Sequence, residues 1–249
     1  MIMRKIVVAT GFDKGYEHKA APYITSLDNI KNTSVDKVVF TVGYDKEDTD
    51  YIEYVRVNPA KDSINNCLQH GEYLFWLLDN GYQLEDIVVF TDADIVYQRD
   101  LMFIDVPMDI SHYVYAGIDN WYDSSLYAMA KRLTIKDEEL YHYAFPNSHN
   151  MVGYNTGVLV GTIRNLLALY IAYMRYWYQA NSLLEHYAKQ QFALSYAMNT
   201  DVPTKILGYS FHTHNHYGIP DGVDIANDGK TLLVYGMPVL IRHKYKIWD

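Results

Sequence analysis

The chain reads as an α/β protein with a mainly parallel central sheet flanked by helices and a small variable C-terminal subdomain. Three observations predict this. Short apolar runs, Lys5 to Thr10, Lys37 to Val42 and Ile87 to Phe90, are rich in β-branched residues, as strands buried on both faces are. Segments with apolar residues at helical spacing lie between them, and strands alternating with helices argue for right-handed parallel connections. The length, 249 residues of which 49% are hydrophobic, allows a sizeable core.

The elements follow in order. After the first strand, Gly11, Phe12, Asp13, Lys14 and Gly15 read as a loop. A helix pattern follows through Tyr23, Ile24, Leu27 and Ile30, with Pro22 near its first turn. Lys37 to Val42 is a second strand and Glu53 to Val57 a weaker third. Ile64, Cys67, Leu68, Gly71, Leu74, Phe75 and Leu78 keep the spacing of a long amphipathic helix, which Asp79, Asn80 and Gly81 end. Then come the strand at Ile87 and, after Leu101, a strand over Tyr113 to Ile118 and a helix over Ser124 to Leu133. Tyr141 to Gly153 is aromatic, histidine-bearing and aperiodic, and reads as a loop facing the site. Tyr154 to Gly161 reads as a turn into a strand, with Asn155 and Gly157 tolerating unusual backbone angles. Arg164 to Tyr178 and Leu183 to Met198 are helical. Lys205 to Ser210 and Leu232 to Tyr235 are short strands. With no repeat and no clear linker, one domain is expected.

The stretch with chemical content is IVVFTDADIVYQRDL, residues 87–101. Its strand delivers Asp92 and Asp94 at the carboxyl edge, where open α/β sheets bind ligands. Asp-X-Asp also occurs in solvated turns, but apolar residues on both sides, including Ile95, Val96 and Tyr97, put these acids inside an ordered element. Paired carboxylates there call for a cation, and oxygen ligands suit Mg²⁺ or Mn²⁺, ions that commonly also hold phosphate. The loop after the first strand opens on the same edge. Neither GxGxxG nor GxxxxGK[ST] is present, so the signatures of a dinucleotide fold and of a P-loop are missing.

Composition narrows the partners. Thirty acids against 21 bases give a net charge of −9, which disfavours a broad nucleic-acid footprint. Cys67, the one cysteine, excludes an intrachain disulfide and fits a reducing, cytoplasmic compartment. No secretory signal is visible, and the apolar stretch from Leu166 to Met174 is far short of the roughly 20 residues of a membrane span. The 25 tyrosines suit a half-polar core, stacking or interfaces equally. If Phe211 to Tyr217 is extended, His212, His214 and His216 share one face; a zinc site there lacks a fourth ligand, and a hydrogen-bonding or acceptor-facing role fits better. The closing segment brings His243, Lys244 and Lys246, and Tyr245, Ile247 and Trp248 suggest that it packs down.

Four segments together resemble the GT-A fold (Rossmann-like) glycosyltransferases, most closely the glycogenin and lipopolysaccharide galactosyltransferase group known as family eight. They are VVATGFDKGYEHKAAPYITSLDNI, DIVVFTDADIVYQRDL, YNTGVLVG and HKYKIW. The resemblance implies a metal-dependent transferase that moves a sugar from a nucleotide sugar, a UDP-sugar by preference, with retention. Residues 1–120 would form the nucleotide-binding half of a single domain, and 121–249 the donor-sugar and acceptor half. Asp92, Asp94 and His243 would hold Mn²⁺ or Mg²⁺ on the diphosphate. Ala9, Thr10 and Tyr16 would surround the base and ribose with Asp13 nearby, and Lys246 would meet the departing phosphate. Asn155 would touch the donor sugar or acceptor. Lys189-Gln190-Gln191 stands where the group has an Asp-Gln pair, so the carboxylate beside the anomeric carbon passes to Asp119 or Glu185, with Gln191 beside them. The acceptor would be a glycan, a lipid-linked glycan at a membrane periphery, or a small molecule. The tyrosines leave a protein acceptor open, and the net charge counts against modified DNA. A homodimer is compatible with the sequence. The alternatives are a sugar-phosphate nucleotidylyltransferase, against which the early loop with only Lys14 argues, and an inactive glycan-binding relative.

Overall fold

The computed structural model describes residues 4–59, 63–119, 124–185, 188–214 and 221–243. In chain order the strands are β1 (Ile6–Asp13), β2 (Val35–Val42), β3 (Glu53–Val57), β4 (Ile87–Thr91), β5 (Ile95–Tyr97), β6 (Val114–Ile118), β7 (Tyr154–Thr162), β8 (Thr204–Ile206), β9 (His212–His214), β10 (Val223–Ile225), β11 (Leu232–Val234), β12 (Met237–Pro238) and β13 (Ile241–His243). The helices are α1 (Glu17–Ser26), α2 (Ser63–Asp79), α3 (Leu126–Arg132), α4 (Glu138–Ala144), α5 (Ile163–Leu183) and α6 (Lys189–Thr200).

Seven strands form one sheet in the order β3-β2-β1-β4-β7-β6-β8. β1 is parallel to β2 and β4, β2 to β3, and β6 to β8; β7 runs antiparallel to β4 and β6. The sheet is therefore mixed, and every strand but β7 points the same way. Both faces are covered, as the apolar runs require. Val7, Ala9, Val88 and Phe90 pack on one side with residues of α2, α3, α5 and α6. Ile6, Val8, Ile87 and Val89 pack on the other with Tyr23 of α1 and with Tyr97, Phe211 and Ile241. Each buried valine or isoleucine among these contributes about 1.5–3 kcal/mol through burial.

Several sequence expectations are corrected. β1 does not stop at Thr10: Gly11, Phe12 and Asp13 pair with Phe40, Thr41 and Val42, so the loop begins later. Pro22 sits inside α1 rather than in its first turn, and the helix ends at Ser26 with a tighter turn over Leu27–Asn29. The stretch expected to be a loop facing the site, Tyr141 to Gly153, begins within α4 and continues into a turn over Ser148–Asn150. Asp137 caps α4 by accepting from the Leu140 N–H, and Tyr141 and Phe145 pack with Phe192. Those aromatics belong to the core. Leu183 ends α5 and does not begin α6, which starts at Lys189.

β5, β13 and β9 form a separate three-stranded sheet in that order, and β10, β11 and β12 another. The first of these extends the carboxyl edge of the main sheet, because β5 follows directly from Asp94. No described helix is long and apolar enough to cross a membrane.

Candidate metal centre and its surroundings

The topology brings the chemistry to one edge. β1 ends at Asp13, β4 leads into Asp92, β6 leads into Asp119, and β7, running the other way, begins there with Tyr154 and Asn155. The β4 turn presents Asp92 and Asp94 on either side of buried Ala93. β13 lies antiparallel to β5, with His243 opposite Ile95. His243 Nε2 is thereby 3.3 Å from Asp94 Oδ1 and 3.8 Å from Asp92 Oδ2. The side chains are 44% exposed for Asp92, 22% for Asp94 and 1% for His243, so the cluster opens outward from a buried base. Their ligand atoms lie within 4.8 Å of one another, the one such group of His, Cys, Asp or Glu found among the described residues.

The donor set fits a divalent ion. Two carboxylates and an imidazole suit Mn²⁺ or Mg²⁺ and supply the charge such an ion needs. The surroundings are shaped to hold that set. A Cβ on Gly157 would overlap His243 Cε1 and stand 2.8 Å from Asp92 Oδ2. Gly157 is thus needed for space rather than for an unusual backbone angle. Its carbonyl accepts from the Asp92 N–H at 2.8 Å, and its own N–H donates to Asn155 Oδ1 at 3.0 Å. Asn155 is buried and acts on the cluster through this backbone, not through open space.

The remaining expected residues divide. Ala9 is fully buried, and the hydroxyl of buried Thr10 donates to the Thr91 carbonyl at 2.7 Å, so neither side chain faces a ligand. Asp13 and Tyr16 lie at the correct edge, where Asp13 Oδ1 accepts from the Tyr16 N–H and Lys19 stands over the Tyr16 ring. Asp119 and Gln191 come together: Gln191 Nε2 donates to Asp119 Oδ1 at 2.6 Å, and Arg132 pairs with Asp119 Oδ2. Glu185 is exposed after α5, with its N–H on the Leu133 and Thr134 carbonyls. Lys244, Lys246 and the closing Tyr245, Ile247 and Trp248 lie outside the described residues, as does His216. A separate cavity of about 720 Å³, lined by Asp28, Lys37, Asp48 and Glu53 among others, opens at the opposite edge, where β2 and β3 begin.

The sequence showed no role for Arg132, and for His212 it showed a hydrogen-bonding role without the partner. Arg132 carries no local signal. His212 was visible only as one of three alternating histidines; it is fully buried, and its Nε2 lies 3.3 Å from His243 Nδ1. Burial, followed by His243, pushes its imidazole well below its ordinary value. Burial also lowers His70, against a smaller opposing pull from Asp92; His70 Nδ1 lies 2.8 Å from the Tyr170 hydroxyl.

These shifts give a sign for acid stability. Below about pH 6.5 the unfolded chain protonates both histidines more readily than the folded chain does. The unfolded state then binds more protons, so stability falls as pH drops through that value, by up to about 1.4 kcal/mol per pH unit for each histidine. Denaturant unfolding in EDTA, run from about pH 8 to about pH 5, checks this. His70→Phe and His212→Phe are each expected to flatten the profile, and a wild-type profile already flat would contradict it.

No protein-family model matches the chain, and no curated protein matches it.

Proposed function

We propose that the protein is a metal-dependent glycosyltransferase of GT-A type that moves a sugar from a nucleotide sugar, a UDP-sugar by preference, to a glycan, lipid-linked glycan or small-molecule acceptor. The convergence of Asp92, Asp94 and His243 at the carboxyl edge of the sheet carries this reading. Two acids one residue apart are common in solvated turns; a buried imidazole from the far end of the chain, aimed at both, supports a built cation site. The mostly parallel sheet and the position of β1 beside β4 are compatible with a nucleotide lying over the same edge.

A bound divalent ion supplies Lewis-acid stabilisation of the charge that builds on a departing nucleoside diphosphate. Asp92, Asp94 and His243 would hold it. Asp13 and Tyr16 would border the base and ribose. Both oxygens of Asp119 already accept bonds, from Gln191 and Arg132. This favours Asp119 as a fixed acceptor for a sugar hydroxyl over a role as attacking nucleophile. Retention follows from the family resemblance alone. The same engaged carboxylate favours, as the second reading, an inactive relative that binds the nucleotide sugar without cleaving it.

A thermal-shift panel of nucleotides and nucleotide sugars, each with and without Mn²⁺, tests the proposal. One UDP-sugar at about 100 times its dissociation constant is expected to stabilise the fold by roughly 2.7 kcal/mol, and only with metal. A flat panel from folded protein would overturn the reading. Mn²⁺-dependent hydrolysis of the stabilising donor would then exclude the inactive relative.

A further inference from the structure

We infer that His212 is a positioning residue of the metal centre: its Nε2 accepts a hydrogen bond from the Nδ1–H of His243, which keeps the His243 Nε2 lone pair turned toward Asp92 and Asp94. The inference rests on the proposed cation site and adds to it a residue that touches neither ion nor substrate.

A neutral imidazole offers one donor and one acceptor. To bind a cation through the nitrogen that faces the two aspartates, His243 must carry its proton on Nδ1. That N–H is buried, since His243 is 1% exposed, and a buried donor needs an acceptor. His212 Nε2 stands 3.3 Å from it. The placement is structural, because β9 and β13 are parallel neighbours, with His212 opposite Ile241 and His214 opposite His243.

Core packing alone does not account for His212. The residue is fully buried, and its Nδ1, which carries the proton when Nε2 accepts from His243, has no hydrogen-bond partner among the described residues, a cost that the bond to His243 has to offset. A phenylalanine would fill this volume without burying an unpaired polar atom. The main sheet also accommodates this ring: a Cβ on Gly117, at the irregularity in the β6–β7 pairing, would lie 2.5 Å from His212 Nδ1. A glycine thus makes room for each histidine, Gly157 for His243 and Gly117 for His212. The hydrogen bond to His243 is what the imidazole supplies that an apolar ring would not. Partners of this kind set the tautomer and orientation of metal-bound histidines.

Two variants and one spectrum test this. His212→Phe keeps the ring volume and removes the acceptor; His212→Gln places Oε1 near the position of Nε2. By calorimetry, His212→Phe is expected to weaken Mn²⁺ binding about 10- to 100-fold, and His212→Gln to recover most of the loss. Long-range ¹H–¹⁵N spectra of Zn²⁺-loaded wild type, with zinc as a diamagnetic probe, are expected to show His243 protonated at Nδ1 and His212 unprotonated at Nε2. Mn²⁺ affinity in a folded His212→Phe variant within about twofold of wild type would overturn the inference. So would a proton on His212 Nε2 in the loaded wild type, a readout that needs no variant to fold. Wild type that fails to bind Mn²⁺, or His243→Ala that binds it unchanged, would instead overturn the metal centre itself.

Discussion

Asp94→Asn is expected to abolish Mn²⁺ binding while leaving the metal-free fold at least as stable as the wild type. Asp94 is the carboxylate nearer to His243, at 3.3 Å, and the less exposed of the two acids. Removing it takes away both a ligand atom and half the anionic charge of the cluster. Loss of an outer partner of a metal ligand already costs about 10- to 100-fold in affinity, so loss of the ligand is expected to cost on the order of 100-fold or more. The effect on the empty fold has the opposite sign. Without a cation the two carboxylates repel one another at close range, and a neutral amide relieves this by up to about 1 kcal/mol at solvent-like screening. Unfolding in EDTA is therefore expected at an unchanged or slightly higher denaturant midpoint. The roughly 2.7 kcal/mol that Mn²⁺ adds to the wild type at about 100 times its dissociation constant disappears in the variant. A variant that keeps both Mn²⁺-dependent stabilisation and turnover would falsify the metal assignment.

Gly157→Ala is expected to damage the same site from a residue that contributes no ligand atom. The added methyl would overlap the His243 ring and crowd Asp92 Oδ2. The β13 backbone that carries His243 is held between β5 and β9, and His212 stands against its ring, so the ring has little room to yield without leaving the aspartates. Overpacking of this kind costs about 1–3 kcal/mol of stability. Mn²⁺ affinity is expected to fall by at least the 10- to 100-fold typical of disturbed ligand orientation. Gly161→Ala serves as the control: it lies on the same strand, and its Cβ would stand 3.2 Å from Leu166 Cγ, in the core and away from the cluster. It is expected to cost stability and spare Mn²⁺ affinity. Equal loss of metal binding in the two variants would mean that β7 acts through general destabilisation and not through the space beside His243.

The elements that were legible in the sequence are those whose signal is local. Glu53 to Val57 reads as a strand and is β3 over the same residues; Ile64 to Leu78 keeps helical spacing and lies within α2. The apolar run at Ile87 is a strand because its residues are buried on both faces of a sheet, and that requirement shapes composition directly. Asp92 and Asp94 were legible as a pair because a single turn carries both. By contrast, the aromatic stretch around Tyr141 was misread as a loop at the site. Tyr141 and Phe145 are spaced for one face of a short capped helix that meets α6, and only that partner shows that these two face inward while Tyr143 stays exposed. The antiparallel course of β7 was equally invisible, since strand direction is set by the connection and by the neighbours.

Sequence alone determined an α/β chain with an acid pair at a strand end. The tertiary structure decided which residues join that pair. His243 reaches the aspartates because β13 pairs with β5, and His212 reaches His243 because β9 pairs with β13. Gln191 and Arg132 meet at Asp119 from two different helices. Ala9 and Thr10, placed at the ligand by analogy, turned out to be buried. The reason is physical: periodicity records which side of an element is buried, a property of neighbouring residues. Convergence of a ligand set depends on pairings between segments far apart in the chain, and on space left where a Cβ is missing. No local pattern encodes either of these.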